Sequence, residues 1–317
     1  MKRKKIVCCG EMPVDFISKM KTRGQMQFCA TPGGCIFNTA VLSSKLGLEV
    51  AMVTRIGKDR LADFVIDYAR SQGIDTRGIV QTEDTKTPLA IACIDKKGDA
   101  SYSFYKMIGP QLAIPDKDIP KRLFDGASIF HCGSAYSYND YSHQTLMKLL
   151  NIAREKKLFI SYDPNARKKM VVGSKAARAR MLNILPFVSL AKMNDFDLKF
   201  ITAQKTLDKA LRKIKDLTDA HIVITLGAKG AFYLRGKKRI FVPAFKVKVA
   251  DTIGAGDSFT AGLLYRYACY GEKIFHEDTR THLRFATAVS AITCTKDGAT
   301  SAIRGLKQVK TFLKRNR

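Results

Sequence analysis

The stretch Asp251-Thr252-Ile253-Gly254-Ala255-Gly256-Asp257 joins two segments of different periodicity. Residues 240–249 before it are strand-like, and the residues after it repeat apolar side chains at helical spacing, at Phe259, Leu263 and Tyr267. Glycines in such a loop let the backbone approach a ligand closely, and the start of the helix offers unpaired N–H groups to an anion. The order of strand, glycine loop and helix therefore predicts an anion-binding loop in an α/β protein.

The same alternation of apolar and helical segments extends through most of the chain. Short apolar segments bounded by turn residues predict strands at 5–9, 50–54, 128–132, 158–162, 188–193 and 221–226. Segments of helical periodicity predict helices at 38–46, 63–72, 143–156, 206–217 and 258–269. Strands that alternate with helices predict a doubly wound, mostly parallel α/β sheet flanked by helices, which binds ligands beyond the carboxyl ends of its strands.

One region departs from this alternation. Residues 88–94 and 101–105 are strand-like, and the turn Asp95-Lys96-Lys97-Gly98-Asp99 joins them, with Gly98 supplying the permissive backbone. No helix separates these strands, so the hairpin is expected outside the main sheet, paired with segment 11–35. We predict one domain, residues 1–317, with a small β-sheet lid formed from about 11–36 and 86–108.

Composition indicates a globular protein. The chain has 317 residues, 46% of them hydrophobic and 26% charged, which is enough for a full-sized core. No stretch approaches the roughly 20 apolar residues of a membrane span, and Gly10 and Glu11 interrupt the apolar run at 6–9 too early for a signal peptide. The eight cysteines contain no C-x-x-C pair, which is typical of reduced thiols in a cytoplasmic protein.

The formal net charge of +27 raises the question of a nucleic-acid partner. Lysine and arginine cluster at 2–5, 167–180 and 310–317, but other basic residues lie throughout the chain. With 9% aromatic residues and no Trp, the sequence shows no pattern for stacking on bases. We interpret the charge as a solvated basic surface that attracts anionic substrates, and we expect neither a nucleic-acid nor a membrane partner.

The glycine loop fits neither common phosphate-binding motif. No G-x-x-x-x-G-K-[ST] occurs in the chain, and Phe259 stands where the dinucleotide fingerprint requires its third glycine. An Asp at the start of a helix serves either as a cap or as a reactive group, and spacing alone leaves both roles open for Asp257.

The loop resembles the D-T-x-G-A-G-D signature of the ribokinase-like carbohydrate kinases, the phosphofructokinase B type. Further matches lie in the family's order between residue 10 and about residue 300. They are the glycine and asparagine spacing at Gly33, Gly34, Asn38, Gly47 and Gly57, the G-E-x-x-x-D opening at 10–15, the D-x-N-x-R element at 163–167 and the T-L-G-x-K-G turn at 225–230. The opening and the D-x-N-x-R element are similar to those of fructokinase-like members.

The resemblance implies catalytic roles for the loop. Asp257 would be the base that activates the accepting hydroxyl, and the backbone N–H groups of Gly254, Ala255 and Gly256 would stabilise charge on the transferred group. Asp251 and Ile253, with the loop before Gly298, would form a backbone site for a monovalent cation such as K⁺.

On the substrate side, Asp15 and Asn38 would hydrogen-bond sugar hydroxyls, with Gly33 and Gly34 bringing the ring close to the backbone. A loop-capping Asp and an N-cap Asn are the alternatives from local structure. Arg167 would clamp an anionic group, unless it is a surface residue of the basic run. Lys106, after the hairpin, would attract a carboxylate or phosphate.

On the nucleotide side, the resemblance implies ATP with Mg²⁺ and a set of binding residues: Asn194, Thr225, Gly227, Gly230, Gly256, Thr287 and Ser290. Two positions depart from the family pattern. Asp197 replaces a glutamate linked to magnesium, so it would act through a water or else be a helix-surface acid, and Thr287 replaces an asparagine near the adenine. Residues 35–37 also replace small residues on the sugar side.

The resemblance thus implies an ATP-dependent kinase that transfers the γ-phosphate to a primary hydroxyl of a small sugar, with fructose expected first. 2-Keto-3-deoxygluconate comes second because of Lys106 and Arg167, and a nucleoside third. A homodimer through the lid is also implied. A nucleic-acid-binding protein with a degenerate kinase fold is the alternative of another class, and strongly salt-dependent binding would distinguish it.

Overall fold

The structure, a computed structural model, describes residues 4–22, 24–94, 100–107 and 109–316. Within these ranges the strands are β1 (Lys5–Cys9), β2 (Val14–Thr22), β3 (Gln25–Pro32), β4 (Glu49–Gly57), β5 (Ile74–Thr82), β6 (Leu89–Ile94), β7 (Ala100–Tyr105), β8 (Ala127–Gly133), β9 (Phe159–Asp163), β10 (Leu190–Asn194), β11 (His221–Thr225), β12 (Gly230–Arg235) and β13 (Lys238–Pro243). The helices are α1 (Cys35–Lys45), α2 (Arg60–Ser71), α3 (Ala135–Tyr138), α4 (Asp140–Glu155), α5 (Lys168–Val171), α6 (Lys175–Ile184), α7 (Asp195–Thr202), α8 (Leu207–Lys213), α9 (Ala255–Glu277), α10 (Thr279–Thr293) and α11 (Leu306–Arg315).

Among the described residues, nine strands form one large sheet in the order β13-β12-β11-β10-β9-β8-β1-β4-β5. Neighbouring strands are parallel from β11 across to β5, and β12 and β13 add an antiparallel edge. Parallel strands require helical connections that cover both faces of the sheet. The predicted doubly wound fold is therefore confirmed.

The side chains of β1 alternate between two separate cores. Val7 and Cys9 pack with residues of α4, α6, α7 and α8, whereas Ile6 and Cys8 pack with residues of α1, α2, α9 and α10. The two adjacent cysteines thus face opposite sides of the sheet, as the strand period predicts. All eight cysteines are free thiols.

Four strands of the described chain form a second, smaller sheet in the order β3-β2-β6-β7. β2 pairs in parallel with β6, and each has an antiparallel neighbour on its other side. The predicted hairpin outside the main sheet, and its pairing with the segment after β1, are confirmed. The predicted turn at 95–99 with Gly98, residues 2 and 3 of the first basic cluster, and Arg317 lie outside the described residues.

Asp59 connects the small sheet to helix α2 of the main α/β unit through hydrogen bonds. Its carboxylate caps α2 by accepting the backbone N–H groups of Leu61 and Ala62 at 3.1 and 3.0 Å. The same carboxylate accepts the N–H of Thr87 at 2.9 Å and its hydroxyl at 2.7 Å. Because Thr87 lies two residues before the start of β6, one side chain fixes both the start of a helix and the entry to the small sheet.

Every strand and helix predicted inside the main alternation overlaps an observed element, although the boundaries differ by several residues. Elements that the sequence did not indicate include β5, β12, α6, α7, α10 and α11. The predicted strand at 240–249 is wrong beyond residue 243. The ladder ends at the pair Gly230–Pro243, where β12 begins, so residues 244–249 have no strand to pair with.

No helix within the described residues is both long enough and apolar enough to cross a membrane.

Candidate active site

A cavity of about 740 Å³ lies between the carboxyl ends of the parallel strands and the small sheet. This is the position that a doubly wound sheet predicts for a ligand. Most of the residues singled out from the sequence line it: Asp15, Gly34, Asn38, Arg167, Asn194, Asp197, Thr225, Gly227, Gly230, Gly254, Ala255, Gly256, Asp257, Thr287 and Ser290. Gly33, Lys106 and Asp251 are not among the lining residues.

Asp257 lies in the first turn of α9, because that helix begins at Ala255. The side chain is 8% exposed and accepts a hydrogen bond from Nδ2 of Asn38 at 2.8 Å. Asn38 itself lies inside α1, whose N-cap is Gly34, so the local capping role considered for Asn38 does not apply. The two chain segments that the sequence singled out independently therefore meet at one carboxylate.

Burial raises the pKa of Asp257, and the nearby Asp163 carboxylate raises it further. The hydrogen bond from Asn38 and the charge of Lys192 act in the opposite direction but do not cancel burial. A carboxylate with a raised pKa is a stronger base than an exposed one, which suits it to take up a proton from a hydroxyl.

The glycine loop is held in place by polar contacts on both sides. Asp251 accepts the backbone N–H of Ile253 at 2.9 Å with one oxygen and that of Gly298 at 3.0 Å with the other. The Ser290 hydroxyl donates to the carbonyl of Ala255 at 2.9 Å. The structure thus brings together the two loops of the predicted monovalent-cation site, with the Asp251 carboxylate joining them.

Lys192, in β10, lies next to this loop and was not singled out from the sequence. Its side chain is 6% exposed, and Nζ donates to Oδ2 of Asp163 at 2.8 Å. Burial alone lowers the pKa of Lys192, but the Asp163 carboxylate outweighs it and raises the pKa. The ammonium is therefore a permanent positive charge inside the cavity.

Cys35, Asp163 and Asp257 bring ligand atoms within 4.8 Å of one another. This group does not suit magnesium, because magnesium prefers oxygen ligands and one member is a thiol. The Lys192 ammonium also already neutralises Asp163. The departure at residue 35 thus places a buried thiol beside the carboxylates, with its Sγ 3.8 Å from Oδ2 of Asp163.

Asp197 is buried, and each of its oxygens accepts a backbone hydrogen bond. Oδ2 accepts the N–H of Asn194 at 3.2 Å, which completes a capping box at the start of α7, and Oδ1 accepts the N–H of Ala166 at 2.9 Å. Asp197 is thus not a surface acid. It fixes the loop that contains Asn165, a residue with φ of 37°, and Arg167.

Burial raises the pKa of Asp197 to about 7, with Asp163 adding to the effect.

Three acidic residues, Glu11, Asp15 and Asp257, line the part of the cavity that we expect to bind the sugar. A Cβ atom on Gly33 would lie 2.2 Å from Oδ2 of Asp15, so glycine is required there to make room for that carboxylate. Glu11 accepts hydrogen bonds from the Ser134 hydroxyl at 2.5 Å and the Ala135 N–H at 3.1 Å. Burial raises the pKa of Asp15 to about 6; Arg167 lowers it, whereas Asp257 and Glu11 raise it.

Lys106 and Arg167 differ in their placement. Lys106 is exposed, with φ of 55°, and does not reach the cavity, although its neighbours Phe104 and Met107 line it. Arg167 is exposed and is one of the residues that line the cavity. Of the two cations predicted to attract an acidic substrate, the structure brings only Arg167 to the cavity.

The part of the cavity that we expect to bind the nucleotide is lined by residues of α10 and of the segment beyond β13. Phe245, Val247 and Val249 form an apolar wall of the cavity. Thr287 lines it as well, but its hydroxyl donates to the carbonyl of Leu283 at 2.9 Å within α10. The segment wrongly predicted as strand therefore supplies a surface suited to a flat apolar ring.

Sequence reasoning missed the roles of Lys192, Asp163, Glu11 and the wall at 245–249. Lys192 carries a detectable signal, since a charged residue inside an otherwise apolar strand requires a buried partner. Asp163 and Glu11 stand inside quoted motifs without a stated role.

Comparisons with known proteins identify a family and a shared fold. The family model described as pfkB family carbohydrate kinase matches residues 3–304. A probable fructokinase-3 of Arabidopsis thaliana is 31% identical over 315 residues, covering 98% of this chain and 91% of that protein. The crystal structure of a fructokinase with bound ATP from Xylella fastidiosa has a TM-score of 0.89 at 26% identity, with 99% of both chains covered.

A fructokinase from Vibrio cholerae O395, in its form with fructose, ADP and calcium ion, has a TM-score of 0.84 at 23% identity. The match covers 98% of this chain and 99% of that chain, and it shows a shared fold.

Proposed function

The chain belongs to the pfkB family of carbohydrate kinases, and we propose that it transfers the γ-phosphoryl group of ATP to a primary hydroxyl of fructose. The observation that carries the proposal is the placement of Asp257. Its buried carboxylate is held by Asn38 at the start of α9, between the sugar side of the cavity and the glycine loop. Fructose is supported by the fructokinases among the relatives and by the motif at 10–15.

In the proposed reaction, the hydroxyl oxygen of the sugar attacks the γ-phosphorus of ATP, and Asp257 takes the proton of that hydroxyl. The bond from that phosphorus to the bridging oxygen breaks, and ADP leaves. Backbone N–H groups of Gly254, Ala255 and Gly256 stabilise the charge on the transferred group. The N–H of Ala255 also donates to the carbonyl of Thr252 at 3.2 Å, so it is shared between the turn and the phosphoryl group.

Magnesium would neutralise negative charge on the β- and γ-phosphates of the nucleotide. We propose that Asp197 holds it through a water. Asp197 suits magnesium because its ligand atoms are carboxylate oxygens. Each of these oxygens accepts one backbone N–H, and a carboxylate oxygen can take a second contact, here with the water. A monovalent cation, K⁺, would lie at the loops that Asp251 joins.

Four further proposals rest on less direct support. The chain forms a single domain, 1–317, in which the small sheet closes over the sugar as a lid. The lid's outer strand β3 exposes Met26 and Phe28 at 41% and 39%, which supports a homodimer through that face. The protein acts in the cytoplasm. Nucleic acid is not a partner.

The test is ADP release with purified protein against fructose, 2-keto-3-deoxygluconate and a panel of nucleosides. We expect fructose to give the highest kcat/KM, and the variant Asp257→Ala to lose turnover with the same substrate. A higher kcat/KM for 2-keto-3-deoxygluconate would instead identify an acidic sugar as the substrate, with its carboxylate bound by Arg167. Salt-dependent binding of nucleic acid without ADP release on any sugar would overturn the kinase assignment.

A further inference from the structure

Lys192 lines the cavity beside Gly256 of the glycine loop. We propose that the Lys192 ammonium contacts the γ-phosphoryl group of the bound nucleotide directly and stabilises its charge during transfer, with Asp163 as the residue that positions it. The proposal deepens the proposed function, since it takes the phosphoryl donor from there. It does not depend on which sugar is the acceptor.

The contact with the glycine loop supplies the position. A Cβ atom built on Gly256 would lie 2.9 Å from Nζ of Lys192, and the next atom within 4 Å is Cε of the same side chain at 3.9 Å. The ammonium therefore lies directly against the loop whose amides face the anion. Lys192 also lines the cavity together with Gly256 and Asp257.

Gly256 has a separate structural reason to be glycine. It does not occupy the left-handed region, in contrast to Gly254 with φ of 76°. What a side chain at 256 would meet is the lysine ammonium alone. The missing side chain therefore leaves room for the cation, and the backbone does not require it.

The hydrogen bonds of Lys192 leave donors available. An ammonium group has three N–H donors, and the described contacts assign one of them, to Oδ2 of Asp163. The same oxygen also accepts the hydroxyl of Thr260 at 3.3 Å, which fixes it on the side of α9. Asp163 is thus held from two elements and in turn holds the ammonium in place.

The charges around Lys192 explain why a cation is needed there. The Asp163 and Asp257 carboxylates both interact electrostatically with it. A polyphosphate brought beside these two acids would be repelled, because like charges at short distance in a buried site cost several kcal/mol. One ammonium beside them offsets that repulsion, and it attracts the negatively charged oxygens of the transferred group.

A purely structural ion pair is the competing explanation. Buried ion pairs contribute little net stability compared with apolar residues of the same size, because both charges must be desolvated. A structural role therefore predicts that a neutral pair, such as Lys192→Met with Asp163→Asn, retains function. A phosphoryl contact predicts the opposite.

The first experiment measures binding without any sugar. For wild type, Lys192→Met and the double variant Lys192→Met/Asp163→Asn, calorimetry gives the affinities for ADP and for the non-hydrolysable ATP analogue AMP-PNP. We expect both variants to lose about 10- to 100-fold in AMP-PNP affinity, the value of a hydrogen bond to a charged group, and less than about threefold for ADP. Equal losses for both nucleotides, or none, in the folded double variant would overturn the proposal.

Lys199→Met is the matched control. Lys199 also pairs with an aspartate, Asp195 at 2.7 Å, but on the surface of α7 and outside the cavity lining. We expect both nucleotide affinities to stay within about twofold of wild type, as for an exposed ion pair.

The second experiment measures turnover with whichever sugar the wild type accepts. Lys192→Met is expected to lower kcat by about 10² to 10³ with a smaller change in the KM of the sugar. Gly256→Ala should reproduce much of this loss by displacing the ammonium, and it should add little when combined with Lys192→Met. If the losses in kcat caused by Gly256→Ala and Lys192→Met multiply in the double variant, the two residues act independently. That result would contradict the contact between Lys192 and the phosphoryl group.

The positioning role of Asp163 has its own readout. Asp163→Asn removes the charge that keeps the Lys192 pKa raised, so the remaining activity should fall as the pH increases from 7 to 10. A pH profile parallel to wild type would exclude this role. If the wild type binds both nucleotides but phosphorylates no sugar, the proposed function fails, and the binding experiment still decides this inference.

Discussion

Nδ2 of Asn38 and Oδ2 of Asp257 are 2.8 Å apart in space and 219 positions apart in sequence. The bond joins α1, which follows the small sheet, to α9, which follows the glycine loop. Asn38, which we propose to hold a sugar hydroxyl, therefore also orients the carboxylate that we propose as the base.

Replacing Asp257 tests the base directly. Asp257→Asn keeps the size of the side chain and removes its ability to take a proton, so we expect kcat to fall by about 10² to 10⁴. Circular dichroism and thermal unfolding should remain close to wild type. A variant that turns over at more than a tenth of the wild-type rate would exclude Asp257 as the base.

The raised pKa of Asp257 predicts the acidic limb of the pH profile. Because the ionised form is the active base, kcat/KM should fall as the pH decreases through this pKa, at a pH above the value of about 4 for an ordinary Asp. Asn38→Ala removes a hydrogen bond that favours the ionised form. The limb should then move to higher pH, as measured in initial rates between pH 4 and 8. An unchanged limb would argue against the coupling, whatever happens to KM.

The burial of Asp197 predicts a pH-dependent effect on stability. Its pKa of about 7 in the folded protein lies above the unfolded value of 3.8, so the folded state binds the proton more tightly between these values. The wild type therefore loses stability from this group as the pH rises from about 4 to 7, by up to the order of 4 kcal/mol. Asp197→Asn removes this loss.

Urea unfolding at pH 4.5 and pH 8 checks this prediction. Asp197→Asn should be slightly less stable than wild type at the lower pH, because one backbone N–H loses its acceptor, and should gain relative to wild type at the higher pH. Asp208→Asn, at an exposed position in α8, is the control. A stability difference between Asp197→Asn and wild type that is independent of pH would contradict the prediction.

Asp59 should contribute more to the free energy of unfolding than an ordinary helix cap does. Asp59→Ala removes four hydrogen bonds and is expected to lower the free energy of unfolding by about 2–3 kcal/mol. Thr87→Ala, which removes one of the four, should cost about 1 kcal/mol. Equal effects of the two variants would show that the cap and the connection to the small sheet are not joined through Asp59.

Burial raises the pKa of Asp59, but hydrogen bonds from Thr87, Ala62 and Leu61 outweigh it and hold the pKa below the usual value. The ionised Asp59 carboxylate therefore stabilises the folded protein fully at a pH above the pKa that Asp59 has in the unfolded chain. This stabilisation is lost as the pH falls through the lower pKa that Asp59 has in the folded protein.

The sequence predicted the fold because its signals are local. The strands around β1 and the helices between them have clear periodicities, and Gly254, Gly256 and Asp257 stand in one short motif. Chain order then placed these elements at the carboxyl ends of parallel strands. The cavity followed from this topology.

The parts that escaped prediction depend on contacts between distant segments. Lys192 looks like a charged interruption of β10 until Asp163 is placed beside it. The position of Asp197 in the sequence suggests a metal ligand, but it does not reveal the backbone hydrogen bond that Asp197 accepts from Ala166 in another loop. Residues 244–249 keep a strand-like pattern, and only the end of the ladder at Gly230 shows that they have no partner.

The position of Asp257 late in the chain has a consequence for synthesis on the ribosome. Every strand of the large sheet within the described residues ends by Pro243, so the sheet can assemble before α9 and α10 have emerged. At ordinary elongation rates the 219 residues that separate Asn38 from Asp257 correspond to roughly 10 to 45 s.

Between the synthesis of β13 and that of α10, one face of the sheet lacks the apolar side chains of Phe259, Leu263 and Leu283 that later cover it. The nascent chain is then inactive and exposes its most aggregation-prone surface.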